Sequence, residues 1–368
     1  MNEKTKTQGR IQEIDIAKGM ACFSMIAAHL LGGKLLPAST FAAPLFFACS
    51  GMNVLLLLEK TKKNKCYDLF HILFPLLLFF GGITQIAIVH RRTLRLIPEF
   101  LQFIALAILL LFALSKLFKN PRHCGYFFPV PFLVQQLLPM PFLRSFAGSP
   151  LGFLFGGGFA LFPWLGFILF GVFILSLSRK SYIWLQATLC AGFILSHAIA
   201  GIPLQKFWMS LSYILLALLV ITLAFSLGRV IAVRVESLFF RHLAEFFALP
   251  GRNSLMFVYL NYFVLRFFIL GNLVSSVYPM LLLQTSYLFL LCFIILKFYE
   301  KVKTEGELFL PSLTMGVILA TLRWGGMLSP RIDLRLIDMA IGILFAFLYV
   351  QLRRRFAAFC ERKIESRA

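Results

Sequence analysis

The stretch EIDIAKGMACFSMIAAHLLGGKLL runs from Glu13 to Leu36. Its middle is apolar enough to enter a lipid bilayer, yet Asp15 and Lys18 stand near its start and His29 lies deep inside. Apolar runs of 18 or more residues recur along the whole chain, and each is long enough to cross a bilayer core as a helix. In lipid a helix satisfies its own backbone hydrogen bonds. Alternating ten-residue strands are absent, which argues against a membrane β-barrel. The expected fold is all-α: a polytopic membrane helix bundle of about 11–12 transmembrane helices, forming one domain over residues 1–368.

Composition agrees. The chain is 60% hydrophobic and 14% charged, against about 25% charged in soluble domains. Its net charge of +21 comes from 36 Lys+Arg against 15 Asp+Glu. Those cations sit at the ends of apolar spans, where they anchor helices and face anionic headgroups. The partner they imply is the lipid bilayer, not nucleic acid. Seven cysteines form no CxxC pair. Most lie in apolar spans and read as small core residues rather than metal ligands or disulfides. The first apolar run starts late and shows no small-x-small cleavage site, so it reads as a span and not as a signal peptide.

Spans are expected at about 16–36, 41–58, 69–89, 99–118, 151–177, 182–201, 208–228, 253–272, 277–298, 310–324 and 334–351. Residues 1–15 read as a cytoplasmic leader. Segment 119–150 is apolar but broken by six prolines, and 353–368 is a basic tail. Lys60, Lys62, Lys63 and Lys65 put the loop after the second span in the cytoplasm, and the N-terminus with it. If the Pro-rich segment crosses once, the Arg353–Arg355 cluster is also cytoplasmic. A twelfth, broken crossing is therefore the preferred topology. Arg91, Arg92 and Arg95 fall outside in either count.

On a helix, residues eleven apart share a face, so Lys18 and His29 are stacked roughly 16 Å apart along the axis. Asp15 and Cys22 fall on the same stripe, and Ser24 lies off it. Such a stripe must face a bundle interior or a wet cavity. Two readings stand together at this point. His29 is either a core histidine bonded to a neighbouring helix, with Lys18 snorkelling to the interface, or a general base in a partly dry cavity, with Lys18 meeting an anion at its mouth.

Several segments carry a resemblance. RIQEIDIAKGMACFSMIAAH (Arg10–His29) is similar to the first membrane helix of transmembrane acyltransferases, which reads R-x-x-x-(I/V)-D-x-x-R-G with a histidine further on. Lys18 and His29 keep the spacing found between arginine and histidine in the acyltransferase-three family. APLFFACSGMNVLLLL (Ala43–Leu58) resembles the second helix of these proteins, with its Phe-rich run and Ser-Gly. LRLIPEFLQFIALAILL (Leu94–Leu110), FPWLGFILFGV (Phe162–Val172) and KFWMSLSYILLALL (Lys206–Leu219) resemble segments of heparan-alpha-glucosaminide N-acetyltransferase and its bacterial relatives. PGRNSLMFVYLNYFV (Pro250–Val264) resembles the G-x-N-S-x-x-x-x-Y-L-x-H element of membrane acyltransferases. These segments cover about 10 to 270, in order.

The resemblance implies transfer of an acyl group, usually acetyl, from acetyl-CoA or another acyl-CoA to an amino or hydroxyl group of a sugar or glycan, in a bacterial inner membrane with both termini cytoplasmic. It implies a catalytic role for His29 with Lys18 and Asp15, and CoA binding by Lys18 and Arg252. Gln102, Trp164, Asn253, Ser254, Tyr259 and Asn261 become candidate substrate-binding residues. No metal is expected. The chain departs from the pattern in three places. Lys18 replaces an arginine, losing the bidentate fork. Tyr262 replaces the histidine that ends the Y-L-x-H element. The loop GGKLLPASTFAA lacks the histidine that closer relatives of the heparan enzyme carry there.

Each candidate also has a plainer reading. Arg252, Asn253 and Ser254 open the eighth span and read equally as a cap with an interface arginine. Arg266 needs a partner within its span, with Asp338 or Glu99 as candidates. Trp164 fits packing as well as a substrate platform. His197 has no second ligand at metal spacing, and His71, His90, His123 and His242 flank spans. No G-x-S-x-G, H-E-x-x-H or P-loop is present. The rival functions are a transporter or flippase of a glycan or lipid-linked precursor, and a catalytically degenerate family member. The sequence is compatible with a homo-oligomer.

Overall fold

In the computed structural model the chain is a helical bundle. The described residues are 12–31, 40–61, 66–90, 99–138, 152–155, 158–206, 209–270, 278–302, 308–324 and 334–365. Among them there are fourteen α-helices and no strand. They are α1 (Gln12–Leu31), α2 (Ala42–Thr61), α3 (Cys66–His90), α4 (Phe100–Leu117), α5 (Pro129–Leu137), α6 (Gly152–Phe155), α7 (Leu161–Ile174), α8 (Arg179–Phe193), α9 (Leu211–Val233), α10 (Leu238–Arg252), α11 (Ser254–Leu270), α12 (Tyr278–Val302), α13 (Phe309–Trp324) and α14 (Leu334–Glu365). Seven are long and apolar enough to cross a membrane, and three shorter apolar helices accompany them.

Side-chain contacts show which helix ends lie together. Call the end that holds the start of α1 proximal. Arg229 at the close of α9 pairs with Glu13 at 3.5 Å, so α9 finishes proximally. At its start, the Tyr213 hydroxyl donates to the Thr40 carbonyl at 3.0 Å, beside the distal start of α2. Proximal contacts also join α4 to α3 (Lys116–Asp68, 2.6 Å) and α12 to the end of α10 (Asn253–Glu300, 2.5 Å). Arg323 and Asp338 join the distal ends of α13 and α14.

The Pro-rich segment is helical in two pieces. A 3-10 helix over Pro121–Phe127 leads into α5. Arg122 clamps Glu59 at the proximal end (2.6 Å), and Gln136 donates to the Met209 carbonyl at the distal end (2.7 Å). Pro129 and Pro131 sit in the first turn of α5, where missing N–H groups cost nothing. Residues 139–150 of the segment lie outside the described residues.

Four features depart from the sequence reading. The expected span 151–177 is interrupted: α6 covers Gly152–Phe155 and α7 Leu161–Ile174, and within α7 Phe162, before Pro163, holds extended angles (φ −95, ψ 125). The basic tail from 353 is not a tail: α14 continues unbroken to Glu365. Helix α10 fills what reads as a loop. It buries Ala244, Ala248 and Leu249 and leaves Arg241 and Glu245 exposed. Finally, Cys66 and Cys360 form a disulfide across 294 residues, tying the start of α3 to the end of α14, although the cysteines read as unpaired. The buried cysteines Cys22, Cys49, Cys124 and Cys292 are free.

Helix α1 is the hub, packed by α2, α9, α10, α11 and α12. Gly19 and Gly251 make this possible. A Cβ on Gly19 would collide with the Phe247 carbonyl, and one on Gly251 with the Asp15 carbonyl. Two backbones therefore touch where α10 crosses α1. A helix surrounded by protein can keep a charged stripe that lipid would reject.

Candidate functional site

At the proximal end two chambers adjoin. The inner one holds about 860 Å³ and the outer about 1120 Å³. Lys18, Asn53, Ser254 and Arg353 line both. Lys60 and Arg252 add two more cations to the outer chamber, and no Asp or Glu lines either. Glu59 pairs with Arg122, Glu13 with Arg229 and Glu245 with Lys297, while Glu300 accepts from the Asn253 amide at the outer chamber's edge. Lys18 projects over the Phe46 ring with Nζ 4.5 Å from its centre, and Arg353 lies over Phe70 at 5.4 Å. Both guanidinium and ammonium groups gain from the ring faces. The inner chamber narrows to an apolar floor at Leu101, Ile104 and Val258.

His29 lies beyond that floor. Its Nδ1 is 3.0 Å from the Asn261 amide nitrogen, and its ring stacks on Tyr262 at 4.9 Å with a 27° tilt. Val258 on the floor and Tyr262 are four residues apart on α11, about one helical turn, or ~5.4 Å. The same layer contains Thr84, Gln85 and Tyr259. Tyr259 donates to the Gly81 carbonyl (2.9 Å) and meets the Thr84 hydroxyl (2.9 Å). Gln85 accepts the Leu101 N–H at 3.1 Å. Two atoms of this layer, Gln102 Nε2 and Asn261 Oδ1, are buried without a hydrogen-bond partner. A buried polar atom without a partner calls for a reason, and a ligand or water at this layer would supply one.

The structure divides the sequence candidates into groups. Lys18, Arg252, Asn253 and Ser254 meet at the chambers. His29, Asn261 and Tyr262 meet one turn deeper. Asp15 is 3% exposed, and its carbonyl abuts Gly251 at the α1–α10 crossing. Gln102 caps α4, its Oε1 accepting the Glu99 N–H at 3.4 Å. Tyr259 fastens α11 to α3 and lines neither chamber. Trp164 is 3% exposed and packs edge-on against Phe47 at 5.5 Å, away from both chambers. Arg252 closes α10, and Asn253 both ends α10 and opens α11: its amide donates to Leu249 O at 3.0 Å and its carbonyl accepts the Phe257 N–H at 2.9 Å. Asp338 is engaged by Arg323 at 3.0 and 3.2 Å, so Arg323 holds the carboxylate considered for Arg266.

Lys60, Asn53 and Arg353 line the chambers without having been singled out as site residues. Lys60 and Arg353 read as interface anchors because their charge alone was visible. Thr84 and Gln85 were detectable as polar residues inside the run GGITQIAIV.

No protein-family model matches this chain, and no curated protein matches it in sequence at a significant level.

Proposed function

We propose that the protein is an integral-membrane acyltransferase that moves an acyl group from acyl-CoA to an amino or hydroxyl group of a sugar or glycan. One observation carries this reading. A cation-lined chamber opens at one end, and its floor stops one turn short of the buried His29–Asn261 pair. The two halves are separated by roughly 16 Å along α1, a span that the pantetheine arm of CoA is long enough to cover. Phosphates would lie among Lys18, Lys60, Arg252 and Arg353, and the thioester would reach His29.

His29 is held through Nδ1, so Nε2 is the atom that meets substrate. For Nε2 to accept a proton, Nδ1 must carry the other one and donate it. Turning the Asn261 amide brings its unpartnered Oδ1 into place as that acceptor. His29 then takes the proton of the acceptor nucleophile as it attacks the thioester carbonyl. The thiolate of CoA leaves toward the chamber.

Basic residues support the orientation. Lys60, Lys116, Arg122, Arg179, Arg229, Arg252 and Arg353 gather at the proximal end, which is the cytoplasmic end by the positive-inside rule. CoA is supplied there.

A second reading, a transporter of an anionic glycan precursor, draws on the same floor. Leu101 and Val258 separate a chamber at one end from a polar layer nearer the other, as alternating access requires. Thermal stability with CoA separates the two. A ligand at a hundred times its Kd stabilises the folded state by about 2.7 kcal/mol. The acyltransferase gains that stability with CoA; the absence of any shift at saturating CoA sinks this reading and favours the transporter.

A further inference from the structure

His71 sits on the wall between the inner chamber and another cavity of about 850 Å³ lined by Asp68, Ser115 and Lys116. It is 4% exposed, and the mechanism above gives it no role. Its protonation pattern can be read from its neighbour. The Thr61 hydroxyl donates its single proton to the Leu57 carbonyl at 2.8 Å. That hydroxyl is also 2.8 Å from His71 Nε2. With its proton used, Thr61 can only accept there, so Nε2 carries the N–H. A neutral imidazole has one N–H, which leaves Nδ1 as a bare acceptor. Among the described residues nothing donates to Nδ1. The His71 side chain lines the inner chamber, within reach of a ligand there. Stacking on Phe112 at 5.2 Å and 25° fixes the ring plane and hence the direction of that lone pair.

An acceptor in a cation-lined chamber suits a ligand that joins negative charge to a hydrogen-bond donor. Lys60 and Arg252 line only the outer chamber, and His71 only the inner one. On the acyltransferase reading the charged head lies among the four cations of the outer chamber, and the donor belongs to the part reaching inward. We infer that His71 is a donor-binding residue whose Nδ1 accepts a hydrogen bond from an amide N–H of the pantetheine arm of acyl-CoA. This inference rests on the acyltransferase reading.

Isothermal titration tests it with CoA and with adenosine 3′,5′-bisphosphate, which carries phosphates but no arm. Asn at position 71 places an amide oxygen where Nδ1 stood. Gln places its amide where Nε2 stood, keeping the Thr61 contact but not the acceptor. The expected result is that His71→Asn binds CoA within threefold of wild type, while His71→Gln binds it about tenfold more weakly. Neither variant changes bisphosphate binding. A purely structural histidine gives the reverse order, because Gln preserves the Thr61 bond. Equal CoA affinity of His71→Gln and wild type overturns the inference, as does equal weakening of CoA and bisphosphate. If His71→Gln does not fold, His71→Asn against His71→Leu carries the same test, and equal CoA affinities overturn it. Failure of the wild-type protein to bind CoA overturns the acyltransferase reading itself, and this inference with it.

Discussion

Removing Asp338 should be among the most damaging single changes in the bundle. Arg323 on α13 grips this carboxylate through Nε at 3.0 Å and Nη2 at 3.2 Å. The two side chains are 14% and 2% exposed. Charges 3.0 Å apart attract by about 5.5 kcal/mol at an effective dielectric of 20. Asp338→Leu loses that attraction and strands a guanidinium in the bundle, and the expected loss is about 3–5 kcal/mol. The pair also has a mechanical role, because α13 packs chiefly on α14. The double variant Arg323→Met with Asp338→Leu removes both desolvation costs and should recover most of the stability. Thermal unfolding of the purified protein in detergent, followed by intrinsic fluorescence, measures all three variants. The reasoning is refuted if Asp338→Leu melts with the wild type, or if the double variant is no more stable than the single.

Other expectations follow from the same contacts. Gly19→Val drives a side chain into the Phe247 carbonyl and should cost at least about 1–3 kcal/mol; an unchanged melting temperature would show that α1 and α10 are not in backbone contact. Tyr259→Phe loses the bonds to Gly81 O and Thr84, a cost of about 1 kcal/mol in the same assay, whereas CoA binding should persist because Tyr259 lines neither chamber. Lys60→Gln combined with Arg252→Gln should weaken CoA binding about tenfold or more at low salt, and the gap should narrow as salt screens the charges; a gap independent of salt would mean the two cations do not meet phosphates. Asn261→Ala should reduce acyl transfer while leaving CoA affinity within about twofold, since it acts on the His29 ring and not on the chamber.

The membrane helices were legible because each announces itself by an apolar run, and the bilayer fixes its length. Helix α10 was hidden for the opposite reason. FFRHLAEFFALPGR alternates polar and apolar residues at helical spacing, so no window of it is apolar enough to register as a span. Its crossing of α1 depends on Gly19 meeting Phe247, a contact between residues 228 apart that local sequence cannot encode. The disulfide was missed because no motif links Cys66 to Cys360. The stripe Asp15–Lys18–His29 was visible as a pattern, and the structure shows that α1 is enclosed by other helices. What the pattern could not show is that Lys18 lines the basic chamber while His29 lies beyond Leu101 and Val258 from other helices. Likewise, Lys60 and Arg353 are ordinary interface cations in sequence and become chamber residues only when α2 and α14 are brought together.

The central claim is that His29 acts on an acyl group delivered through the basic chamber. Its most direct test is incorporation of radiolabelled acetyl from acetyl-CoA into the glycan and lipid-linked sugar fraction of membranes that contain the protein. Wild-type membranes should acquire label. Membranes holding an equal amount of folded His29→Ala, matched by melting temperature, should stay at the background of membranes without the protein. Equal labelling by His29→Ala and wild type would contradict the account.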